Sequence, residues 1–128
     1  MADPAPPGRL LAIDLEATGL EPRQDAIVAV GWVPIEERTI LWGSAFRALV
    51  DDPRSLRPRD LGALATHQVL PGEQRGGLGL AALLELVERH LAAGAVLLAH
   101  GASIERGFLA AAALATGARP PALRTLCT

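Results

Sequence analysis

The sequence predicts an α/β domain built on a mixed sheet, and three observations carry that prediction. Residues 9–16 alternate with a period of two, as a strand does, and two further strand-like runs follow by about residue 49. Two later segments repeat their apolar residues at a period of about 3.6, as helices do. Between those helices lies one short, wholly apolar run of the kind found in a strand covered on both faces.

Residues 1–8, Met-Ala-Asp-Pro-Ala-Pro-Pro-Gly, are expected to be a disordered tail, because Pro cannot continue a ladder and nothing apolar is there to bury. The folded domain is expected over 9–128. From Arg9 to Glu16, Leu11, Ile13 and Leu15 fall on one side and Ala12, Asp14 and Glu16 on the other, so the first strand carries two carboxylates on one face. Ala17 to Pro22 is a turn. A second strand is expected from Asp25 to Ile35 and a third from Thr39 to Leu49, joined by the polar Glu36-Glu37-Arg38 in a hairpin. These strands form a three-stranded antiparallel meander, to be followed by parallel strands and flanking helices.

Asp51 to Asp60 reads as a charged loop, Leu61 to Thr66 as a short apolar piece and Pro71 to Gly77 as a turn. Leu80, Leu83, Leu84, Val87 and Leu91 mark the first helix, with Glu85 and Arg89 as an i,i+4 pair outside, and Gly94 ends it. Ala95 to Ala99 is the apolar central strand. The second helix starts near His100-Gly101-Ala102-Ser103, with Ile104, Phe108, Ala111, Ala112 and Ala115 as its buried stripe, and stops at Gly117 before Pro120 and Pro121. Ala122 to Thr128 supplies one more strand.

Composition narrows the function. The 128 residues include 12 Lys+Arg and 14 Asp+Glu, a formal charge of -2, and half are hydrophobic. A chain of this length buries roughly two-thirds of its unfolded surface and needs neither disulfides nor a structural metal. Its one cysteine excludes a disulfide framework and any clustered-thiolate metal site. With no apolar stretch near the ~18 residues of a membrane span and no leader pattern, a cytoplasmic protein with no membrane partner is expected. Every basic residue is Arg, and Lys, Asn and Tyr are absent, which points to a GC-rich coding sequence rather than to a nucleic-acid interface. Any grip on phosphates must be local, with metal ions supplying positive charge.

The chemistry concentrates in Asp14-Leu15-Glu16, followed directly by Thr18-Gly19-Leu20. Residues i and i+2 of a strand share a face, so Asp14 and Glu16 set two acids close together. They are tolerable as a solvated strand end, with one acid protonated, or with a divalent cation between them. Glu105 lies in the opening turn of the helix after the apolar strand, where α/β sheets place their sites and where an acid also gains from the helix dipole.

Ile13 to Leu20 resembles the first motif of the DEDD-type 3′–5′ exonucleases, the family of the proofreading epsilon subunit of bacterial DNA polymerase III: Asp-x-Glu followed by Thr-Gly. Leu98 to Leu109 is similar to the second motif, and Thr66-His67-Gln68-Val69 occupies the place of a His-x-Ile-Thr segment between them. The resemblance spans residues 9–128 and implies a ribonuclease-H-like fold. It further implies hydrolysis of phosphodiester bonds at the 3′ end of single-stranded DNA, with RNA as the alternative polymer, in a DNA-repair setting beside a polymerase subunit. Asp14, Glu16 and Glu105 would be the catalytic, metal-holding acids of a two-metal site taking Mg²⁺ or Mn²⁺. Thr18, Gly19, Leu20, His67 and His100 would meet the substrate.

The sequence departs from that pattern in four places. Glu105 stands for the family's Asp, Gly101 for its Asn, Ile104 for its aromatic residue, and Arg124 for the Asp of an Asp-Thr-Leu segment. The extra methylene of Glu105 displaces its carboxylate by ~1.5 Å. The family's third motif brings a general-base His or Tyr and a last Asp, whereas after Glu105 these residues include no acid and no His. Either the domain is truncated at its C-terminus, which predicts exposed apolar surface on the last strand, or it is a catalytically deficient relative that binds a nucleic-acid end or a protein.

The remaining signals read as structural. Gly76-Gly77-Leu78-Gly79 has no phosphate-loop context, Arg54, Arg57 and Arg59 read as a solvated loop, Cys127 as a small core residue, and Trp32 and Trp42 as packing residues.

Overall fold

A computed structural model describes residues 8–56, 76–118 and 123–128. The expectations for the tail, for Leu61 to Thr66, for His67, and for Arg57 and Arg59 fall outside the described residues. The α/β class holds: among the described residues a seven-stranded mixed sheet carries two helices.

Strand β1 (Arg9–Ala17) pairs antiparallel with β2 (Ile27–Glu36), setting Asp14 against Gly31 and Glu16 against Ala29. The register shifts after Glu16, where Ala17 meets Ile27 and Val28 is the extra residue of a bulge. β2 starts at Ile27 rather than Asp25, because Asp25 and Ala26 are bonded to Thr18 instead of to a ladder. A hairpin through Glu37 and Arg38 leads to β3 (Thr39–Ile40). Both turn residues have positive φ, 47° and 67°, as a primed hairpin turn demands. Neither is a Gly or Asn, so the turn is strained. The double substitution Glu37→Asn with Arg38→Gly supplies the residue types that this turn favours, and is expected to stabilise the fold by ~1 kcal/mol in urea unfolding.

The single third strand expected over Thr39 to Leu49 is broken in two. A one-turn 3-10 helix at Trp42–Ser44 separates β3 from β4 (Phe46–Asp51), which pairs with β2 and sets Arg47 against Gly31. A second 3-10 turn, Pro53–Leu56, lies in the loop expected after β4. β5 (Leu78–Gly79), too short for any periodic signal, runs parallel to β4 and leads into α1 (Leu80–Ala92). β6 (Val96–Ala99) lies parallel to β1 over Leu10–Ala12, α2 (Ala102–Ala115) follows, and β7 (Thr125–Cys127) lies parallel to β6. The order across the sheet is β5-β4-β2-β1-β6-β7, with β3 paired to β2.

The two described helices, α1 and α2, pack on one face of the sheet. Leu80, Leu83, Leu84 and Val87 of α1 and Phe108, Leu109, Ala112 and Ala113 of α2 form one cluster with Leu11, Ile13, Val30, Trp32, Val50 and Leu97. Trp32 packs as expected, stacked on Phe46 with centroids 4.5 Å apart and touched edge-on by His90. Its burial holds the His90 imidazole below the usual range. Trp42 does not pack: the 3-10 turn lifts it off the sheet, and it is 72% exposed. Cys127 is also exposed, because β7 is an outer strand with only three residues.

The stripe of α2 differs from expectation by one position. Glu105 is buried and Ile104 is 38% exposed. On the opposite face of the sheet, Ala12, Asp14, Gly31, Val33, Trp42, Ala45, Leu98, His100 and Thr128 contribute to an open trough of about 630 Å³. Leu126, on β7, is partly exposed.

Candidate active site

The core side of β1 takes Leu11, Ile13 and Leu15, so alternation leaves Asp14 and Glu16 on the open face. β6 pairs with β1 only as far as Ala12. Beyond that point the edge of β1 is free to meet the first turn of α2, and Glu105 sits there. The turn into α2 runs through Gly101 in the left-handed region, φ 71° and ψ 48°. Gly and Asn are the residues that take that conformation readily, so Gly in place of the family's Asn preserves the backbone while removing an amide side chain.

The three acids sense one another. Glu105 is 7% exposed, and its Oε2 is buried with no hydrogen-bond partner. Burial pushes its carboxyl up to about 7; the charge of Asp14 adds to this, the Leu15 backbone opposes it, and Glu16 contributes further. The Glu16 carboxyl is also raised, first by burial, then by a hydrogen bond with Asp14 and by the Asp14 charge, while Arg47 pulls the other way. A donor set of three carboxylates with an unpartnered buried oxygen fits a hard divalent cation in chemistry. Among the described residues, however, no three such side chains converge closely enough to grip one ion as placed.

The segment after the acids is held by residues that sequence reasoning passed over. Thr18 is buried: its Oγ1 donates to Asp25 Oδ1 (3.1 Å) and accepts from the Ala26 amide (2.9 Å), and its own amide donates to the Ala26 carbonyl (2.9 Å). Asp25 Oδ2 accepts from the Glu21 amide at 2.9 Å. The Thr18 side chain is therefore engaged in the loop rather than offered to a ligand. Gly19 has a steric reason of its own, since a Cβ there would lie 2.7 Å from Asp25 Cγ. Because Asp25 is tied by two hydrogen bonds, it cannot swing away. Gly19→Ala is expected to cost ~1–3 kcal/mol, read by urea unfolding, and to loosen the loop that presents Leu20.

Below this loop lies Asp52, fully buried, which accepts from the Ile27 amide (3.0 Å) and from Arg54 (2.7 Å). Arg54 also donates to the Pro22 carbonyl at 2.9 Å. The expectation of a solvated Arg54 is thus corrected: its guanidinium is consumed by an internal ion pair. Asp-Pro-Arg at 52–54 was the available signal, an acid two residues before an Arg at a strand end. From the other side α2 closes on the loop, where a Cβ at Gly107 would lie 2.9 Å from Pro22 Cγ.

Two other expected contacts are on the surface. Leu20 is 79% exposed, and His100 is exposed at the trough with Nδ1 3.1 Å from Thr128 Oγ1. Cys127 lies near the start of α2, where backbone hydrogen bonds from Ala102 and Gly101 lower its thiol from the usual range.

Comparison of the backbone with solved structures decides the fold. An SSB/exonuclease I structure with the inhibitor CFAM superposes at a TM-score of 0.81 with 14% identity, over 95% of this chain and 29% of that one. The chain has the exonuclease I fold. A product-bound exonuclease I gives 0.81 at 13% identity, over 95% of this chain and 30% of that one. A metal-free E. coli exonuclease I complex with single-stranded DNA gives 0.79 at 14% identity, over 93% and 28%. The chain therefore spans less than a third of the exonuclease I chains it matches. By sequence it matches no family model and no curated protein. Within this fold the meander carries Asp14 and Glu16, and the β6-α2 unit carries Glu105.

Proposed function

We propose that this chain carries the metal-holding acids of a 3′–5′ exonuclease that hydrolyses phosphodiester bonds at the 3′ end of single-stranded DNA. The observation that carries the reading is Glu105, a carboxyl buried against the edge of β1 with an unpartnered oxygen, beside Asp14 and Glu16 and within the exonuclease I fold. Asp14, Glu16 and Glu105 would hold Mg²⁺ or Mn²⁺, which when bound polarise phosphoryl oxygens and offset their charge. The chain's own residues bind and orient. Leu20 presents an apolar surface on which any base can rest, and the Thr18-Asp25 and Asp52-Arg54 bonds fix the loop that carries it. His100 stands at the trough beside Asp14, and His67 is proposed as a further substrate contact from the sequence pattern alone. The solved neighbours named above include exonuclease I with SSB and with single-stranded DNA, which favours that polymer over a polymerase subunit as the partner.

A second reading rests on the absence, among the described residues, of three converging ligands: a relative that binds a nucleic-acid end without cleaving it. Calorimetric titration with Mn²⁺ separates the two. The nuclease reading expects saturable binding that Asp14→Ala removes. Oligonucleotide binding that is indifferent to both EDTA and Asp14→Ala would establish the binding module instead. A chain that takes up no Mn²⁺ would overturn the metal site.

A further inference from the structure

Arg47 stands on the same face of the sheet as Asp14 and Glu16, with a glycine between it and Asp14. The register aligns Asp14, Gly31 and Arg47 in one row across β1, β2 and β4. Directly paired residues of antiparallel strands share a face. Phe46, Ala48 and Val50 of β4 pack into the core, so Arg47 projects on the open face with Asp14 and Glu16. Two strand spacings separate the Asp14 and Arg47 backbones by ~10 Å. The residue between them is Gly31; among the described residues a Cβ there would meet only the Phe46 carbonyl, at 3.8 Å, an ordinary contact. Its φ is not in the left-handed region either. The glycine leaves this row without a side chain between Asp14 and Arg47.

Three other arginines of the described residues are already engaged. Arg54 is paired with Asp52, Arg89 with Glu85, and Arg9 bonds the Ala93 carbonyl. Arg47 is exposed and makes no ion pair or side-chain hydrogen bond among the described residues, yet its charge reaches Glu16. A nucleic-acid strand entering this face approaches three acids, and a fixed cation on the opposite bank lowers that repulsion. A guanidinium also offers two parallel N–H donors to one phosphate.

We propose that Arg47 is a phosphate-binding residue, holding one backbone phosphate of the strand over Gly31 with the acid cluster on its other side. This rests on the nuclease reading for the identity of the polymer. It adds a residue that fixes the strand's path across the open face of the sheet.

The test is fluorescence anisotropy of the full chain with a 5′-fluorescein-labelled oligothymidylate in EDTA, followed across a salt titration. Arg47→Ala is expected to weaken binding about tenfold at low salt. It is also expected to reduce the slope of log K against log salt by about 0.7, the contribution of one phosphate contact on a single strand. Arg47→Lys should retain the slope while losing part of the affinity, since it keeps the charge but not the paired donors. Gly31→Leu should weaken binding by placing a side chain between Asp14 and Arg47, with circular dichroism confirming that the sheet is intact. Arg89→Ala, on the outer side of α1, should change nothing. Binding by the parent chain with an unchanged slope in Arg47→Ala overturns the assignment of Arg47 alone. No oligonucleotide binding by the parent chain overturns it together with the nuclease reading.

Discussion

Asp52→Ala is expected to destabilise the chain by ~3–5 kcal/mol in urea unfolding, the usual cost of removing one partner from a buried ion pair. The Asp52 carboxylate is fully buried and satisfies the Ile27 amide, the Arg54 amide and the Arg54 guanidinium together. Truncation leaves the guanidinium paired only with the Pro22 carbonyl and strands the first amide of β2 beneath the loop. Arg54→Ala should cost a similar amount, because it leaves a carboxylate uncompensated. The double variant should lose less than the sum of the two, and that shortfall measures their coupling. If each single change costs under ~1 kcal/mol, the pair behaves as a surface bridge and does not anchor the loop.

That ion pair shows where legibility in the sequence ended. The strands of the meander, both helices and the apolar β6 were readable because each buries a stripe whose period is its own signature. Asp14 and Glu16 were readable for the same reason: a strand with one covered face must turn its alternate residues outward. The break at Trp42 was not readable, since Thr39 to Leu49 keeps a strand-like composition while a 3-10 turn replaces two potential pairings. Nor was the orientation of α2. Periodicity assigns Ile104 to the core, and the structure exposes it and buries Glu105 instead. The early end of β6 explains why: the first turn of α2 meets the exposed edge of β1 rather than the sheet's apolar face, so a polar residue is accepted where an apolar stripe would be expected. Asp25 and Asp52 carry no periodic signal at all, because their partners lie in loops brought together only by the fold.

The burial of Glu105 has a measurable consequence. Raising the pH from 4 to 8 in the absence of divalent ions is expected to lower the stability of the chain by up to about 3 kcal/mol. The sign follows from where the proton is held. In the unfolded chain this carboxyl titrates at its ordinary value of 4.5, and in the folded chain at about 7, chiefly because it is buried and next because Asp14 is charged. Between those values the folded state binds more protons, so stability is fully present below about 4.5 and is lost as the pH rises through 7. Solvent around Asp14 and Glu16 screens part of their share, which makes the figure an upper value. Glu105→Gln keeps the shape and removes the titration. It should match the parent chain near pH 4, exceed it at pH 8 by most of that amount, and give a flatter profile in urea unfolding. Adding Mn²⁺ at pH 8 should then stabilise the parent more than Glu105→Gln, because the variant keeps only two of the three acids that would hold the cation. A parent profile already flat from pH 4 to 8 would mean that the Glu105 carboxyl lies in solvent, away from the edge of β1, and with it would go the buried third acid on which the nuclease reading stands.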